Sequence, residues 1–402
     1  MSDNARWARR RLLTGGGLAA GAALAGAGLL STRQEQPPTA AAVSQAAVGE
    51  ATVDFHGTHQ AGVVTPPQAH AVLLALDLRR GVDRQGLARM MRLLTDDAAR
   101  LTQGRAALAD TEPELAARPA RLTVTFGFGP DLFDKLDLVH APVKQLPAFS
   151  IDRMQPQWCG GDLLVQICSD DPVTVTHTQR MLVKDARAFT TVRWLQRGFR
   201  RAAGADPAAM TQRNLLGQVD GTIQPPEDTH DRTVWINSGP GWLHGGTTVV
   251  VRRIRAELET WDAVDRGGKE LTIGRRLDTG APLTGGAEHD PADYAATDSL
   301  GLPVISAFAH IRRAHVADPA RRILRRPYNY DDGLAADGTP DAGLVFAAYQ
   351  ADIDTQFLPI QQALAESDLL NEWTTPIGSA VFVIPPGCQL GGFVGQTLLD
   401  PT

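Results

Sequence analysis

Three short stretches of the chain carry residue types that could do chemistry together. The first is Gly217-Gln218-Val219-Asp220-Gly221-Thr222, in which two glycines flank one acid. Glycine supplies the backbone angles a turn needs and leaves the Asp220 carboxylate free to project into a cavity; an ordinary Asp-Gly turn is the plainer reading of that stretch alone. It is not a phosphate-binding loop, because no Gly-Lys-Ser/Thr or second glycine pair follows. The second is His310-Ile311-Arg312-Arg313-Ala314-His315. One imidazole there could ligate iron, against the plain alternative of satisfied polar histidines. A zinc-protease site is excluded, since no glutamate follows the first His. The third is Arg321-Arg322-Ile323-Leu324-Arg325-Arg326. Clustered arginines usually form a solvated face, but Ile323-Leu324 between them points to a strand with some guanidiniums turned inward. None of the three decides a function alone.

The elements that must position them alternate between strand and helix patterns. Val72 to Leu76 reads as a buried strand, and Leu87, Met90, Met91, Leu94, Ala98 and Leu101 then recur at helical spacing. Leu122, Val124, Phe126 and Phe128 alternate with polar or small residues, as in a half-buried strand. A strand from Asp162 to Cys168, a helix from Val173 to Ala186 and a strand from Thr190 to Leu195 complete the order β-α-β-β-α-β, the split ferredoxin-like motif. The second half repeats the order: a strand at Thr247–Ile254, a helix at Ala256–Val264, a strand at Gly343–Tyr349, a helix at Thr355–Glu366 and a strand at Ser379–Ile384. About eighty residues rich in Gly, Pro and Asp interrupt it, and a loop that long inside a compact domain is expected to carry function. The expected fold class is therefore α+β, with two ferredoxin-like domains, residues 48–212 and 213–402, and the site in the second.

Composition narrows the partners. The 402 residues hold 39 basic and 45 acidic side chains, a net charge of −6, which argues against a nucleic-acid binder. Three cysteines (Cys159, Cys168, Cys388) cannot build a disulfide framework, a Cys-rich metal site or a four-Cys cluster. Spacing does not say whether Cys159 and Cys168 pair. The one apolar segment long enough to consider lies at the N-terminus, so a multi-pass membrane protein is excluded. There Arg6, Arg9, Arg10 and Arg11 precede Leu12-Leu13 and a Gly/Ala-rich run to Leu30, too weakly apolar for a good spanning helix. Ala8-Arg9-Arg10-Arg11-Leu12-Leu13 fits a twin-arginine export signal, with an uncleaved anchor as the alternative. Residues 1–47 are read as signal and linker, with cleavage between Arg33 and Ala47. Their loss takes away five arginines and two acids and moves the net charge from −6 to −9. That route carries folded proteins, often with a cofactor already inserted.

Taken together, the three stretches make the sequence resemble the dye-decolourising peroxidases, closest to their secreted bacterial branch. Gly217–Thr222 matches the family's Gly-x-x-Asp-Gly-Thr motif, His310-Ile311-Arg312 its proximal-histidine segment and Arg325-Arg326 its arginine pair. Phe55 to Gly62, Gly161 to Pro172, Gly245 to Trp261, Thr279 to Leu283 and Gly343 to Asp368 also look like the family, so the resemblance covers nearly everything after residue 50. Val316 departs from a common proline, and Pro327 from a frequent glycine in the loop over the haem edge.

The resemblance implies two ferredoxin-like halves with haem b in the second, a peroxidase reducing hydrogen peroxide through an oxyferryl intermediate, and dyes, phenolics and similar small aromatic reductants as donors. It implies His310 rather than His315 as the axial iron ligand, with Gly221, Thr222 and Arg325 against the haem. A carboxylate accepting the second ring N–H would make the imidazole more basic, and Asp352 is the expected partner. Asp220 would move the peroxide proton and Arg325 would stabilise the anionic oxygen. An ordinary carboxylate titrates at about pH 4, so dye turnover is expected to peak at about pH 4 to 5. Trp373, Tyr328, Tyr330 and Tyr349 lie near these segments and are candidate electron relays, with core packing as the alternative for each. The twin-arginine translocase is the expected partner, the periplasm or exterior the expected location, and a homo-oligomer is open. Two other activities stay in view: deferrochelatase, releasing iron from haem, and a non-catalytic haem carrier, which would need neither Asp220 nor Arg325.

Overall fold

The computed structural model describes residues 45–139, 141–205 and 210–400. The twin-arginine segment, up to residue 44, lies outside the described residues, which begin with a short helix, Gln45–Glu50. No helix among them is long and apolar enough to cross a membrane.

The first β-α-β-β-α-β unit runs β1 (His70–Leu78), α1 (Arg84–Leu101), β2 (Thr123–Phe128), β3 (Leu163–Ser169), α2 (Pro172–Ala186) and β4 (Thr190–Phe199). α1 starts where Asp83 caps it, its carboxylate accepting the Gly86 N–H at 2.7 Å. Asp171 does the same for α2 through Thr174 N–H, with Pro172 in the first turn, where a missing N–H costs nothing. The apolar residues at helical spacing in α1, Leu87 to Leu101, are all buried against the sheet, as their period requires.

The second unit runs β5 (Thr247–Ala256), α3 (Leu258–Asp262), α4 (Arg266–Ile273), α5 (His310–Arg313), β6 (Leu324–Arg325), β7 (Tyr328–Leu334), β8 (Pro340–Gln350), α6 (Leu358–Ser367) and β9 (Thr374–Ile384). A single π-helical turn, Ile353–Phe357, leads into α6. The strand at Tyr328–Leu334 completes the ferredoxin-like order and shortens the insertion expected from sequence. It was hidden because Pro327, which donates no backbone hydrogen bond, separates it from β6, and its outer half is polar.

Within each unit the antiparallel strands lie in the same order: β4-β1-β3-β2 in the first and β9-β5-β8-β7 in the second. The two sheets join edge to edge through only one residue pair at each seam, Phe128 with Val383 and Phe199 with Asn329. The β5–β8 pairing closes the ring, and all nine strands form one sheet curled into a barrel. Side chains from both units fill it, among them Ala71, Cys168, Trp194, Tyr328, Tyr330, Tyr349 and Phe382. Close strand approach explains Gly343, where a Cβ would sit 2.0 Å from the Ile254 carbonyl oxygen.

Candidate functional site

The segment between β4 and β5 and the end of the insertion meet above β6. Asn214 organises the first: its side-chain oxygen accepts the N–H groups of Leu216 and Gln218, and its amide donates to Asp220 at 3.3 Å. Gly221 follows with φ of 123°, a conformation few other residues adopt, so the chain turns sharply at the carboxylate. Gln224 then pairs with β6 as a strand would. Its side chain accepts Arg325 N–H at 2.9 Å and donates to Arg325 C=O at 3.0 Å. Held this way, Arg325 donates to Asp220 at 3.1 Å and to Ile223 C=O at 3.1 Å.

His310 opens α5. Its Nδ1 is 2.6 Å from an oxygen of Asp368, whose other oxygen accepts Leu370 N–H at 2.9 Å. Burial alone would lower the imidazole's pKa, but the charge of Asp368 and its hydrogen bond outweigh this and raise it above the ordinary value. In the neutral imidazole the contact places the proton on Nδ1, so Nε2 is the nitrogen that could ligate a metal. His310 is 31% accessible, Asp220 15% and Arg325 23%, so all three are partly buried and partly open. All three are near enough to interact electrostatically.

That donor set fits haem. Among the described residues no group of three or more His, Cys, Asp or Glu could hold a bare metal ion. One carboxylate-backed imidazole suits an iron that brings its other ligands with it. A carboxylate paired with a guanidinium lies within electrostatic reach of that imidazole.

Family models decide the matter. The N-terminal domain model of the Dyp-type peroxidases matches residues 60–200, and the C-terminal model matches residues 211–389. The chain belongs to the Dyp-type peroxidases. It is 40% identical over 367 residues to the dye-decolorizing peroxidase of Thermobifida fusca, covering 86% of this chain and 85% of that protein. A deferrochelatase of Escherichia coli O157:H7 is 34% identical over 418 residues, covering 98% and 97%. The crystal structure of a DyP-type peroxidase from Cellulomonas bogoriensis superposes with a TM-score of 0.85 at 50% identity, covering 88% of this chain and 99% of that one. This Dyp-type peroxidase is therefore a haem-iron oxidoreductase acting on peroxide.

The structure brings Asp220, Gly221, Arg325 and His310 together. Thr222 follows Gly221, its hydroxyl donating to Glu288 at 2.9 Å. Asp352 is a correction. Its carboxylate accepts the N–H groups of Asp354 and Thr355 and caps the π-helical turn, so it is not the partner of His310. Asp368 is, and no local signal marked it: it stands 58 residues away, where α6 ends and its own short turn begins. His315 is exposed and leans on Tyr294, with ring centroids 4.9 Å apart. Tyr328, Tyr330 and Tyr349 are at most 1% exposed, as barrel core. Trp373 is half-buried, edge-on to Trp261 at 5.2 Å. The three cysteines are free. Asn214, Gln224 and Glu288 were also missed; the Gln two residues beyond Gly-Thr was the available hint.

Proposed function

We propose that the peroxide-reducing site of this enzyme is the hollow between His310 and the Asp220–Arg325 pair. The observation that carries the reading is a carboxylate-anchored imidazole within electrostatic reach of that pair. His310 would hold the haem, with Gly221 and Arg325 against it, and haem when bound supplies the iron at which peroxide is reduced. Asp220 takes the proton from the incoming oxygen and returns it to the departing one. Arg325, fixed at Asp220 and at Ile223 C=O, stabilises the negative charge on the anionic peroxide. Asp368 keeps the Nδ1 proton in place and makes the imidazole a stronger donor.

Dyes and phenolic compounds are the proposed donors, following the relative from Thermobifida fusca. Iron release from haem is the second reading, favoured by likeness to a deferrochelatase along 98% of this chain. We also propose export by the twin-arginine route, supported by Arg9-Arg10-Arg11-Leu12-Leu13.

An absorption spectrum before and after one equivalent of hydrogen peroxide tests the site. The Soret band should shift with peroxide, return with a phenolic donor, and be lost in His310→Ala. A band that persists in His310→Ala overturns the ligand. Free porphyrin with iron released, in place of donor oxidation, favours the second reading. Retention of an Arg9→Lys/Arg10→Lys variant in the cytoplasm, with the parent exported, would be expected for the address.

A further inference from the structure

A thiol, a phenol and a guanidinium are buried together inside the barrel, in a cluster the proposed site does not use. Cys168 on β3 is 0% exposed, Tyr328 on β7 1% and Arg326 2%, and the thiol and the phenol belong to one core cluster. Their strands are not neighbours, since β4 and β1 lie between them. The intervening positions are small. Ala71 on β1 stands opposite Cys168 on one side and Gly198 on the other. Gly198 is bare for a reason: a Cβ there would lie 2.6 Å from that of Tyr328. The missing side chains give the phenol room to reach toward the thiol, and the two interact electrostatically with each other and with Arg326.

The cluster is also unsatisfied. Arg326 donates to Thr65 C=O and to the Gln68 side chain, but its Nε and the Tyr328 hydroxyl lack a well-formed hydrogen bond, with the Cys168 thiol as the polar group beside them. Buried polar groups without partners are rare enough to need an account, and redox work is one. No buried carboxylate pairs with Arg326 in its hydrogen bonds. Added positive charge beside that guanidinium is costly, so oxidation here is easiest when each electron leaves with a proton.

Peroxide cannot reach a thiol with no accessible surface, whereas electrons can leave one. When a peroxidase meets its oxidant without an external donor, the polypeptide is a source of the electrons that replace those peroxide takes at the haem. We infer that Cys168 and Tyr328 form an internal two-electron donor whose product is a thioether between Sγ and the ring carbon beside the phenol hydroxyl. One O–O, one S–H and one ring C–H bond break; one C–S bond and two O–H bonds form. Sulfur and ring lose two electrons in all, and one peroxide with the two released protons becomes two waters. The inference rests on the peroxidase activity and is independent of the roles given to Asp220 and Asp368.

The test treats the haem-loaded enzyme with a several-fold excess of hydrogen peroxide and no donor, followed by intact mass and peptide mapping. The expected product has lost two hydrogens and joins the Cys168 peptide to the Tyr328 peptide. It should vanish in Cys168→Ser, in Tyr328→Phe, in the haem-free protein and when a phenolic donor is present. Tyr328→Phe keeps the buried ring in the core, and an unchanged melting temperature in that variant separates loss of the link from loss of the fold. A Cys168 that still alkylates fully after denaturation overturns the inference, and so does oxygen added to Cys168 equally in Tyr328→Phe. Donor turnover by the same preparation shows the peroxidase working, so a missing link counts against the cross-link and not against the activity.

Discussion

Between β1 and β2 the chain builds an 18-residue helix with ten buried residues; between β5 and β6 it builds helices of only five, eight and four residues. The two units otherwise share a strand order and close one barrel. Where a long amphipathic helix covers the sheet, the space above it fills with Leu and Met, and packing is the whole result. Where that helix is absent, loops take its place, and loops must satisfy their backbone with side chains. Arg213 donates to the carbonyls of Gly217, Leu277 and Asp278, and Arg275 to those of Gly280 and Glu288. A region held this way can leave a hollow with polar groups aimed into it. One topology thus serves as a scaffold in its first copy and as a site in its second.

The sharpest way to break this comparison is to exchange the expected losses. Asp220→Asn should lower kcat/KM for peroxide by about 10²–10⁴-fold with thermal stability nearly unchanged. Leu94→Ala in α1 should do the reverse, costing about 2–5 kcal/mol of stability while the folded fraction reacts at the parent rate. Stopped-flow mixing with peroxide and thermal melts on both variants decide it. An Asp220→Asn enzyme reacting at the parent rate would remove the carboxylate from the mechanism. A Leu94→Ala enzyme that is stable but slow would show that the first unit does more than support.

A smaller effect separates the two carboxylates near the end of the second unit. Asp368→Asn should weaken haem retention or peroxide turnover by roughly 10–100-fold, the usual cost of losing a ligand's carboxylate partner. Asp352→Asn should leave the iron spectrum alone and cost at most about 1–2 kcal/mol, as a weakened cap. Haem transfer to an acceptor protein, followed by absorbance, measures the first. If the two variants exchange these behaviours, the hydrogen bond at Nδ1 is not what anchors His310.

The same contrast explains what could be read from the residues alone. The strands and helices of the first unit stand out because burial and period coincide: a half-buried strand alternates, and α1 repeats every three or four residues. The pairing of Asp220 with Arg325 was legible through Gly221 and the arginine cluster, both local signals. Asp368 was not, because the partner of a histidine needs only to be close in space, and the turn of chain that delivers it looks like any helix end. The closed barrel was hidden for a similar reason. Each seam is a single residue pair, and the contacts that close it lie far apart in sequence. The strand at Tyr328–Leu334 was lost to its own polar outer end, which faces water and carries no hydrophobic alternation.

The smallest expected effect lies in the first unit and asks whether its buried acids are mere packing. Asp97 on α1 is 0% exposed and accepts Leu108 N–H at 2.7 Å through one oxygen. Asp185 on α2 lies beside it, and burial, then the hydrogen bond and charge of Asp97, push its pKa up to about 7 against the opposing pull of Lys184 and Arg187. A carboxyl whose folded pKa exceeds its unfolded value of 3.8 favours the folded state when protonated. Its contribution is complete below about pH 4 and is lost as pH rises toward and through 7. Asp185 is partly open to solvent, so screening keeps the effect modest. The melting temperature should fall by about 2–4 °C between pH 5 and pH 8, and Asp185→Asn, which keeps the hydrogen bond and cannot ionise, should flatten that slope. Melts of the two proteins across this range read it directly, and an equal slope in both would mean that the pair shares no proton. Because the acids lie on helices of the first unit, in other segments than Asp220, His310 and Arg325, the peroxide reaction of Asp185→Asn should keep the parent's pH profile. A profile that moved with the helix pair would mean that the scaffold and the site are coupled after all.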